Sequence, residues 1–413
     1  MWPKRPSSSL ARIPDLTLGQ VVSRATDSAS RPSRRCFMTM TMNMKPWLVA
    51  VILLLSVSGA LTQSGPEPID WPKAKLLYQR EQRGEKLSAE EQAFLDRAKA
   101  VRRQGESPAN KAGSANGLQR PKPAVMKPLT DMSAEDLYEG ENGGLYGGGQ
   151  NTPPASLAQA ARAALARIRP LDASGQPAAD GRQVLVSISM SNATQEFSHF
   201  KTIADPDPRK SEHLTIVDCA QGGQAMAEWV PVEGRPWEEA MRRLKQAGVS
   251  PAQVQIAWVK LANKSPKGSK EDHLMKLEAD TALVLQNARM RFPNLRLVYL
   301  SSRIWAGNAT GALNPEPYAY ETAFAARSLI LKQLKQINGS GGEPTPVLLW
   351  GPYLWAEGEK GRALDDLKWT PEDFAEDGVH PSPQGRAKVA NLLLEFFATN
   401  PLAKTWFAKP ALP

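Results

Sequence analysis

Downstream of residue 183, short apolar runs rich in Val, Ile and Leu alternate with longer amphipathic stretches. The runs are too short for helices and predict strands at 184–189, 214–219, 254–260, 295–301 and 347–351. The stretches between and after them predict helices near 237–246, 272–290, 318–337 and 381–400. Strands that alternate with helices form a parallel sheet with helices on both faces. We therefore predict a three-layer α/β/α fold around a five-stranded parallel sheet.

The N-terminal part of the chain has the pattern of an export signal. Met44 and Lys45 precede an apolar run at 47–57, and small residues follow up to Ala60. This pattern predicts a secretory signal peptide cleaved near Ala60, with Met42 or Met44 as the initiator. The run is shorter than the ~20 residues that a membrane helix needs, so we expect no stable membrane insertion. The expected location is secreted or periplasmic, and an uncleaved N-terminal anchor is the alternative.

Composition divides the chain into four predicted regions. They are an N-terminal extension with the signal peptide (1–62), a helical hairpin (63–105), a Pro/Gly-rich linker with a glycine loop (106–150), and the α/β domain (151–413). Ser88 has capping-box spacing to Glu91, which favours a helix start inside the hairpin. A further amphipathic helix is predicted at 155–167.

Charge and cysteine content exclude several classes of function. The formal net charge is +9, but many basic residues lie in the first 45 positions and between 73 and 127, outside the predicted α/β domain. Basic residues interleaved with aromatics are missing, so we expect no nucleic-acid partner. Cys36 precedes the predicted cleavage site, which leaves Cys219 without an intrachain partner. No Cys/His spacing indicates a metal site, and we expect neither metal nor cofactor.

Polar residues and glycines follow the first three predicted strands. Ligands of parallel sheets bind at the carboxyl ends of the strands, so these positions are candidates for a site. Ser191 could be an exposed nucleophile at a helix start or simply a helix cap. The glycines after the second strand could present a backbone N–H or form a tight turn. Asn263, after the third strand, could donate from its amide or cap a turn.

The motif Asp377-Gly378-Val379-His380 precedes the last predicted helix. A carboxylate three residues before a histidine can hold the imidazole in one tautomer, while the imidazole takes a proton from a nucleophile. With Ser191 upstream, the sequence offers the three side chains of a hydrolytic triad in which Asp377 orients and His380 is the base.

Between about 183 and 398 this combination resembles the SGNH (GDSL-like) hydrolase family, with four sequence blocks in the family's order. Ser191 stands at the position of the family's nucleophile, but Ser189 and Met190 replace the usual Gly and Asp before it. The other matching positions are Gly223, Asn263, Asp377 and His380. The resemblance implies an oxyanion hole formed by Ser191, Gly223 and Asn263, with Asn263 in a degenerate block.

The resemblance implies a flavodoxin-like SGNH-hydrolase fold and a serine hydrolase of carboxylic esters that needs no cofactor. The Met-Ser-Asn variant is similar to the sialate O-acetylesterase-like and related carbohydrate-esterase branch, which implies O-acyl, in particular O-acetyl, esters on carbohydrate. Substrate contacts are expected from Asn192, Asn314, Glu316 and Tyr353. The alternative is a catalytically decayed carbohydrate-binding or surface-interaction protein, favoured by the altered first and third blocks. The sequence does not determine the oligomeric state.

Overall fold

The computed structural model describes residues 69–70, 73–74, 77, 80, 86–105, 120–121, 123, 126–340 and 344–409. The predicted signal peptide and Cys36 lie outside these residues. In the described ranges, none of the helices combines the length and the apolarity needed to cross a bilayer.

The core element is a sheet of five parallel strands in the order β2-β1-β3-β4-β5. The strands are β1 (Gln183–Ser189), β2 (Leu214–Val217), β3 (Val254–Lys260), β4 (Leu297–Leu300) and β5 (Val347–Trp350). Every residue of β1 and β3 is buried, as expected for a parallel sheet covered on both faces. This strand order is the flavodoxin-like one, which confirms the predicted fold class.

The helices follow the predicted alternation. They are α1 (Ala89–Gly105), α2 (Ala155–Leu165), α3 (Ser191–Ala204), α4 (Met226–Trp229), α5 (Arg235–Gln246), α6 (Lys270–Arg291), α7 (Tyr318–Ser340), α8 (Pro383–Thr399) and α9 (Lys404–Phe407). Short 3-10 turns occur at Pro251–Gln253, Gly358–Lys360 and Pro371–Asp373. The capping box before α1 is present, because Glu91 N–H donates to the Ser88 hydroxyl at 3.1 Å and Ser88 N–H to the Glu91 carboxylate at 2.9 Å.

Helices cover both faces of the sheet. The Trp258 ring of β3 stacks on Phe197 of α3, with ring centroids 5.4 Å apart, and α8 packs on α3. The next strand residue, Val259, lines the same small cavity as Leu277 of α6 and Leu329 of α7. Since successive strand side chains point to opposite faces, α3 and α8 form one outer layer and α6 and α7 the other.

Residues 126–150, which the sequence assigned to a linker and a glycine loop, pack into the core of the α/β domain. Leu129, Met132 and Tyr138 are buried in the main apolar cluster. The Tyr138 ring lies against Tyr320 and Phe324 of α7, with centroids 4.9 and 5.3 Å away. The segment's composition is that of a linker because its apolar residues have no helix or strand period. Contacts with distant residues of α7 and of the region after β5 hold the segment in place.

Candidate active site

Ser191 is the first residue of α3 and stands two residues beyond Ser189, the carboxyl end of β1. The helix N-cap is Met190 rather than Ser191, so the serine hydroxyl is not used as a cap. The N–H of a residue at this position has no acceptor within the helix, and the helix dipole makes the surroundings favourable for negative charge. In the part of the chain that the structure describes, the Ser191 N–H has no hydrogen-bond acceptor, so the helix start presents a hydroxyl and an unused N–H together.

Three side chains meet at this point. Ser191 Oγ lies 2.7 Å from His380 Nε2, across 189 residues of sequence. On the other side of the ring, His380 Nδ1 lies 2.5 Å from Asp377 Oδ2. A carboxylate can only accept, so Nδ1 carries the proton and Nε2 is left to accept from the serine hydroxyl. The arrangement matches the geometry of a nucleophile, a base and an orienting acid.

Asp377 is held in its ionised form by the turn that it begins. Its Oδ1 accepts the backbone N–H groups of Val379 at 3.0 Å and His380 at 2.9 Å. Partial burial opposes ionisation, but the hydrogen bonds from the His380 ring and from these two N–H groups outweigh it and lower the pKa of Asp377 below its ordinary value. The carboxylate is therefore charged at neutral pH.

The turn between Asp377 and His380 is fixed by its surroundings. Gly378 has φ +64°, and a Cβ there would lie 1.9 Å from the carbonyl oxygen of Asn308. Thr310 N–H donates to the Asp377 carbonyl at 3.1 Å, which joins this turn to the loop after β4. Ser382 then caps α8 by accepting from Gly385 N–H at 3.2 Å.

The chain segments that follow β1, β2 and β3 converge beside the serine. Met190, Ala225 and Ala262, one from each segment, form a small buried cluster of their own. Two backbone hydrogen bonds tie the segments together, from Gln221 N–H to Ser189 at 3.1 Å and from Met226 N–H to Ala262 at 3.1 Å. The positions expected to form an oxyanion hole thus border one edge of the sheet.

Gly223 and Asn263 both keep unused donors. Gly223 is exposed and has φ +77°, and its N–H has no hydrogen-bond partner among the described residues. Asn263 is 9% exposed, and its side-chain amide likewise has no partner in the described part of the chain. Each can therefore donate to a group bound from solution, which an already engaged donor could not do.

The four residues expected to contact substrate are buried and serve the protein's own structure. Asn192 and Asn314 are each 1% exposed, Tyr353 is 4% exposed and Glu316 is 7% exposed. Glu316 accepts from the N–H of Ala306 at 2.9 Å and from the Trp355 indole at 2.8 Å, and the Tyr353 hydroxyl accepts from Leu129 N–H at 3.0 Å. Polar residues after strands suggested an open surface, but tertiary packing covers these four. Two polar residues that are exposed near Asp377 are Asn308 and Thr310, on the loop after β4.

Sequence reasoning missed a group of buried charges next to the triad. Lys260, at the end of β3, forms an ion pair with Glu196 of α3, and both side chains are completely buried. Arg303, after β4, is 2% exposed. Burial raises the pKa of Glu196. It lowers the pKa of Lys260 to about 8 and that of Arg303 to about 10. In each case the opposite charges nearby favour the ionised form and reduce the shift. A cation interrupting an apolar strand run is the sequence signal that could have revealed them.

Within the described ranges, no group of three or more His, Cys, Asp and Glu side chains could hold a metal ion. Cys219 is buried there with an unmodified thiol.

The fold and the site together define an α/β protein with a serine, a histidine and an aspartate joined at the carboxyl edge of a parallel sheet. No protein-family model matches the chain, and no curated protein matches it.

Three solved structures are similar in part. One is described as an SGNH hydrolase from Slackia heliotrinireducens (14% identity, TM-score 0.30, covering 52% of this chain and 99% of that one). Another is described as an acylhydrolase from Bacteroides fragilis (13%, TM-score 0.31, 59% and 97%). The third is the periplasmic domain of a lipopolysaccharide acetyltransferase from Salmonella ser. Paratyphi A (14%, TM-score 0.30, 58% and 95%). At TM-scores this low, functional conclusions have to come from the site's own geometry.

Proposed function

We propose that this protein is a secreted or periplasmic serine esterase of the SGNH type, which hydrolyses O-acyl, in particular O-acetyl, esters carried by carbohydrate. The observation that carries the proposal is the continuous hydrogen-bonded row from Asp377 through His380 to Ser191, with contacts of 2.5 and 2.7 Å. Ser191 is far from Asp377 and His380 in sequence, yet it contacts the His380 nitrogen that must accept a proton in base catalysis. A purely structural role would not require the arrangement carboxylate, imidazole, hydroxyl.

In the proposed reaction, His380 Nε2 takes the proton of the Ser191 hydroxyl as its oxygen attacks the ester carbonyl. Asp377 stabilises the imidazolium that forms. The imidazolium then gives its proton to the departing alcohol oxygen, which leaves an acyl-serine. A water molecule, deprotonated by His380, attacks the acyl group. The imidazolium then returns this proton to Ser191 Oγ as the carboxylic acid leaves.

The tetrahedral intermediates carry a negative oxygen that needs donors. Ser191 N–H at the start of α3, Gly223 N–H and the Asn263 amide are the proposed oxyanion hole, and the unused state of these donors supports the assignment. Losing one such donor costs about 10²- to 10³-fold in rate in related chemistry.

The carbohydrate part of the proposal is supported by the Met190-Ser191-Asn192 sequence, which resembles that of carbohydrate esterases. Asn308 and Thr310 are exposed on the loop that contacts the Asp377 turn, and their polar side chains suit hydroxyl groups of a sugar.

The deciding experiment compares wild-type protein with Ser191→Ala in hydrolysis of nitrophenyl acetate and a panel of acetylated sugars, and in labelling by a fluorophosphonate probe. We expect Ser191→Ala to lose all labelling and on the order of 10⁴- to 10⁶-fold of the rate. Ser198→Ala is the matched control, since Ser198 lies exposed on the same helix and its hydroxyl donates to the Thr194 carbonyl of that helix. A wild-type protein that neither labels nor hydrolyses esters would favour the decayed carbohydrate-binding or surface-interaction protein instead.

A further inference from the structure

Arg303 contacts the two residues that flank Ser191. Its Nη1 donates to the Asn192 side-chain oxygen at 3.2 Å and lies 3.7 Å from the sulfur of Met190. These two residues flank Ser191 in the sequence. One guanidinium group therefore contacts both neighbours of the reactive serine without reaching the serine itself.

Asn192 continues the connection to the other half of the triad. Its amide nitrogen donates to the carbonyl oxygen of Val379 at 3.3 Å, and Val379 immediately precedes His380. The Asn192 amide thus accepts from Arg303 with its oxygen and holds the His380 segment with its nitrogen. This amide is a short physical link between the backbone beside the nucleophile and the backbone beside the base.

A contribution to the stability of the fold does not readily explain why a cation, the Arg303 guanidinium, is buried at this position. Arg303 is 2% exposed, and its Nε and Nη2 atoms have no hydrogen-bond partner among the described residues. Burying a charge with few hydrogen bonds is costly, and well-packed apolar replacements of buried ionic groups are often as stable or more stable. The charges of Glu196, Glu316 and Asp377 favour the guanidinium electrostatically, and Asp377 belongs to the triad.

We propose that Arg303 and Asn192 are positioning residues that fix the separation of Ser191 Oγ and His380 Nε2. The inference rests on the proposed esterase function. A displacement of about 1 Å between reacting groups can cost on the order of 10²-fold in rate, so even a small relaxation of this link should be measurable. Neither residue touches the reacting atoms.

Asn192→Asp tests the link most directly. An aspartate keeps its oxygen facing Arg303, which holds the carboxylate ionised, but it cannot donate to the Val379 carbonyl. We expect kcat for nitrophenyl acetate and the rate of fluorophosphonate labelling to fall about 10- to 100-fold, with KM changed by less than about twofold. The unfolding temperature should fall only slightly, because the charge pair with Arg303 offsets the lost hydrogen bond and the repulsion between the second carboxylate oxygen and the Val379 carbonyl.

Arg303→Met and Arg303→Lys keep the inference testable if Asn192→Asp does not fold. Methionine removes the contact to Asn192 and should reduce kcat by a similar factor, whatever its effect on unfolding temperature. Lysine can still donate one hydrogen bond to the Asn192 oxygen, so its kcat should lie between those of the wild type and Arg303→Met. The inference would be overturned if kcat of the Arg303 variants followed their unfolding temperatures and not the ability of residue 303 to donate a hydrogen bond to Asn192.

Glu321→Gln is the matched control for disturbing a buried polar contact. Glu321 is completely buried in the α6–α7 layer and contacts His273 at 2.7 Å and the Tyr138 hydroxyl at 2.9 Å. We expect its unfolding temperature to fall while kcat of the folded protein is unchanged. If the probe labels the wild type, and folded Asn192→Asp and Arg303→Met are labelled equally fast, the positioning inference is refuted while the esterase proposal stands. A wild type that is not labelled would refute the esterase proposal and this inference with it.

Discussion

The Asp377 carboxylate accepts hydrogen bonds from the His380 ring and from the N–H groups of Val379 and His380. Two of these donors belong to the turn's own backbone, so the hydrogen bonds that hold the Asp377 carboxylate are local to the motif and do not involve Ser191. At this scale, the spacing of three residues is what allows one side chain to bind both the ring and the main chain of the histidine.

Replacing Asp377 by Asn should separate geometry from charge. The amide can still accept the turn's N–H groups, but it no longer favours the tautomer with a proton on Nδ1 or stabilises the imidazolium. We expect kcat to fall on the order of 10³- to 10⁴-fold with KM little changed. Glu376→Gln, at the exposed neighbouring position, is the control and should retain wild-type rates. A loss of less than tenfold in Asp377→Asn would mean that the carboxylate has no catalytic role.

The same variant has a pH signature in stability. The folded-state pKa of Asp377 is lower than the ordinary value of about 3.9, so its contribution to stability is complete above that value and is lost as the pH falls through the folded-state pKa. The difference in unfolding free energy between wild type and Asp377→Asn should be constant near neutrality and shrink under acid conditions. Since this side chain is 44% exposed, solvent screening keeps the difference small. Urea unfolding at a series of pH values measures it.

At the scale of elements, the site depends on how three strand ends and one turn meet. The turn that carries Asp377 and His380 touches the loop after β4 so closely that Gly378 leaves no room for a side chain. The loops after β2 and β3 are joined by their own backbone hydrogen bonds. These contacts bring parts of the proposed oxyanion hole and of the triad to one edge of the sheet.

Gly378→Ala should therefore disrupt the site as well as the turn. Its φ is +64°, and the added Cβ would overlap the Asn308 carbonyl, so the two loops have to separate. Gly248→Ala is the matched control, because Gly248 has φ +71° but open space around the new Cβ. We expect Gly248→Ala to cost about 1–2 kcal/mol of stability with full activity. Gly378→Ala should cost more and also lose most fluorophosphonate labelling. Equal stability and equal labelling of the two variants would contradict this account.

At the scale of the whole molecule, the α/β domain needs residues upstream of 151. Leu129, Met132 and Tyr138 are buried in the same apolar cluster as the sheet. Arg327 of α7 donates to the carbonyl oxygens of Asn142 and Gly144, so the glycine loop is also attached to α7. The segment 126–150 completes the outer layer that α6 and α7 form.

A protein truncated to begin at residue 151 should consequently fail to unfold cooperatively. Removing a single large core side chain typically costs about 2–5 kcal/mol, and the loss of several approaches the whole stability of about 5–15 kcal/mol. A protein that begins at residue 120 keeps the segment and should unfold in one sharp transition near the wild-type temperature. Thermal unfolding followed by circular dichroism distinguishes them, and similar transitions in both would show that the segment is dispensable.

Much of the architecture could be predicted from local patterns. The run that predicts β3 matches the observed strand residue for residue, because a fully buried strand is mostly apolar, with Gln255 and Lys260 as the polar exceptions here. β4 is shorter than its apolar run at both ends, since a strand extends only as far as its neighbours pair with it. The positions of Ser191, Asp377 and His380 were also readable, because each lies where a strand or turn meets a helix.

The sequence by itself determined the layered parallel sheet and three side chains suited to hydrolysis, because period, turn residues and spacing are local properties. Only the tertiary structure decided which polar residues are buried. Asn192, Asn314, Glu316 and Tyr353 looked like surface groups, yet each is covered by segments far away in the chain. The environment of Arg303 was equally invisible, because burial and charge partnership depend on which distant residues the fold brings together.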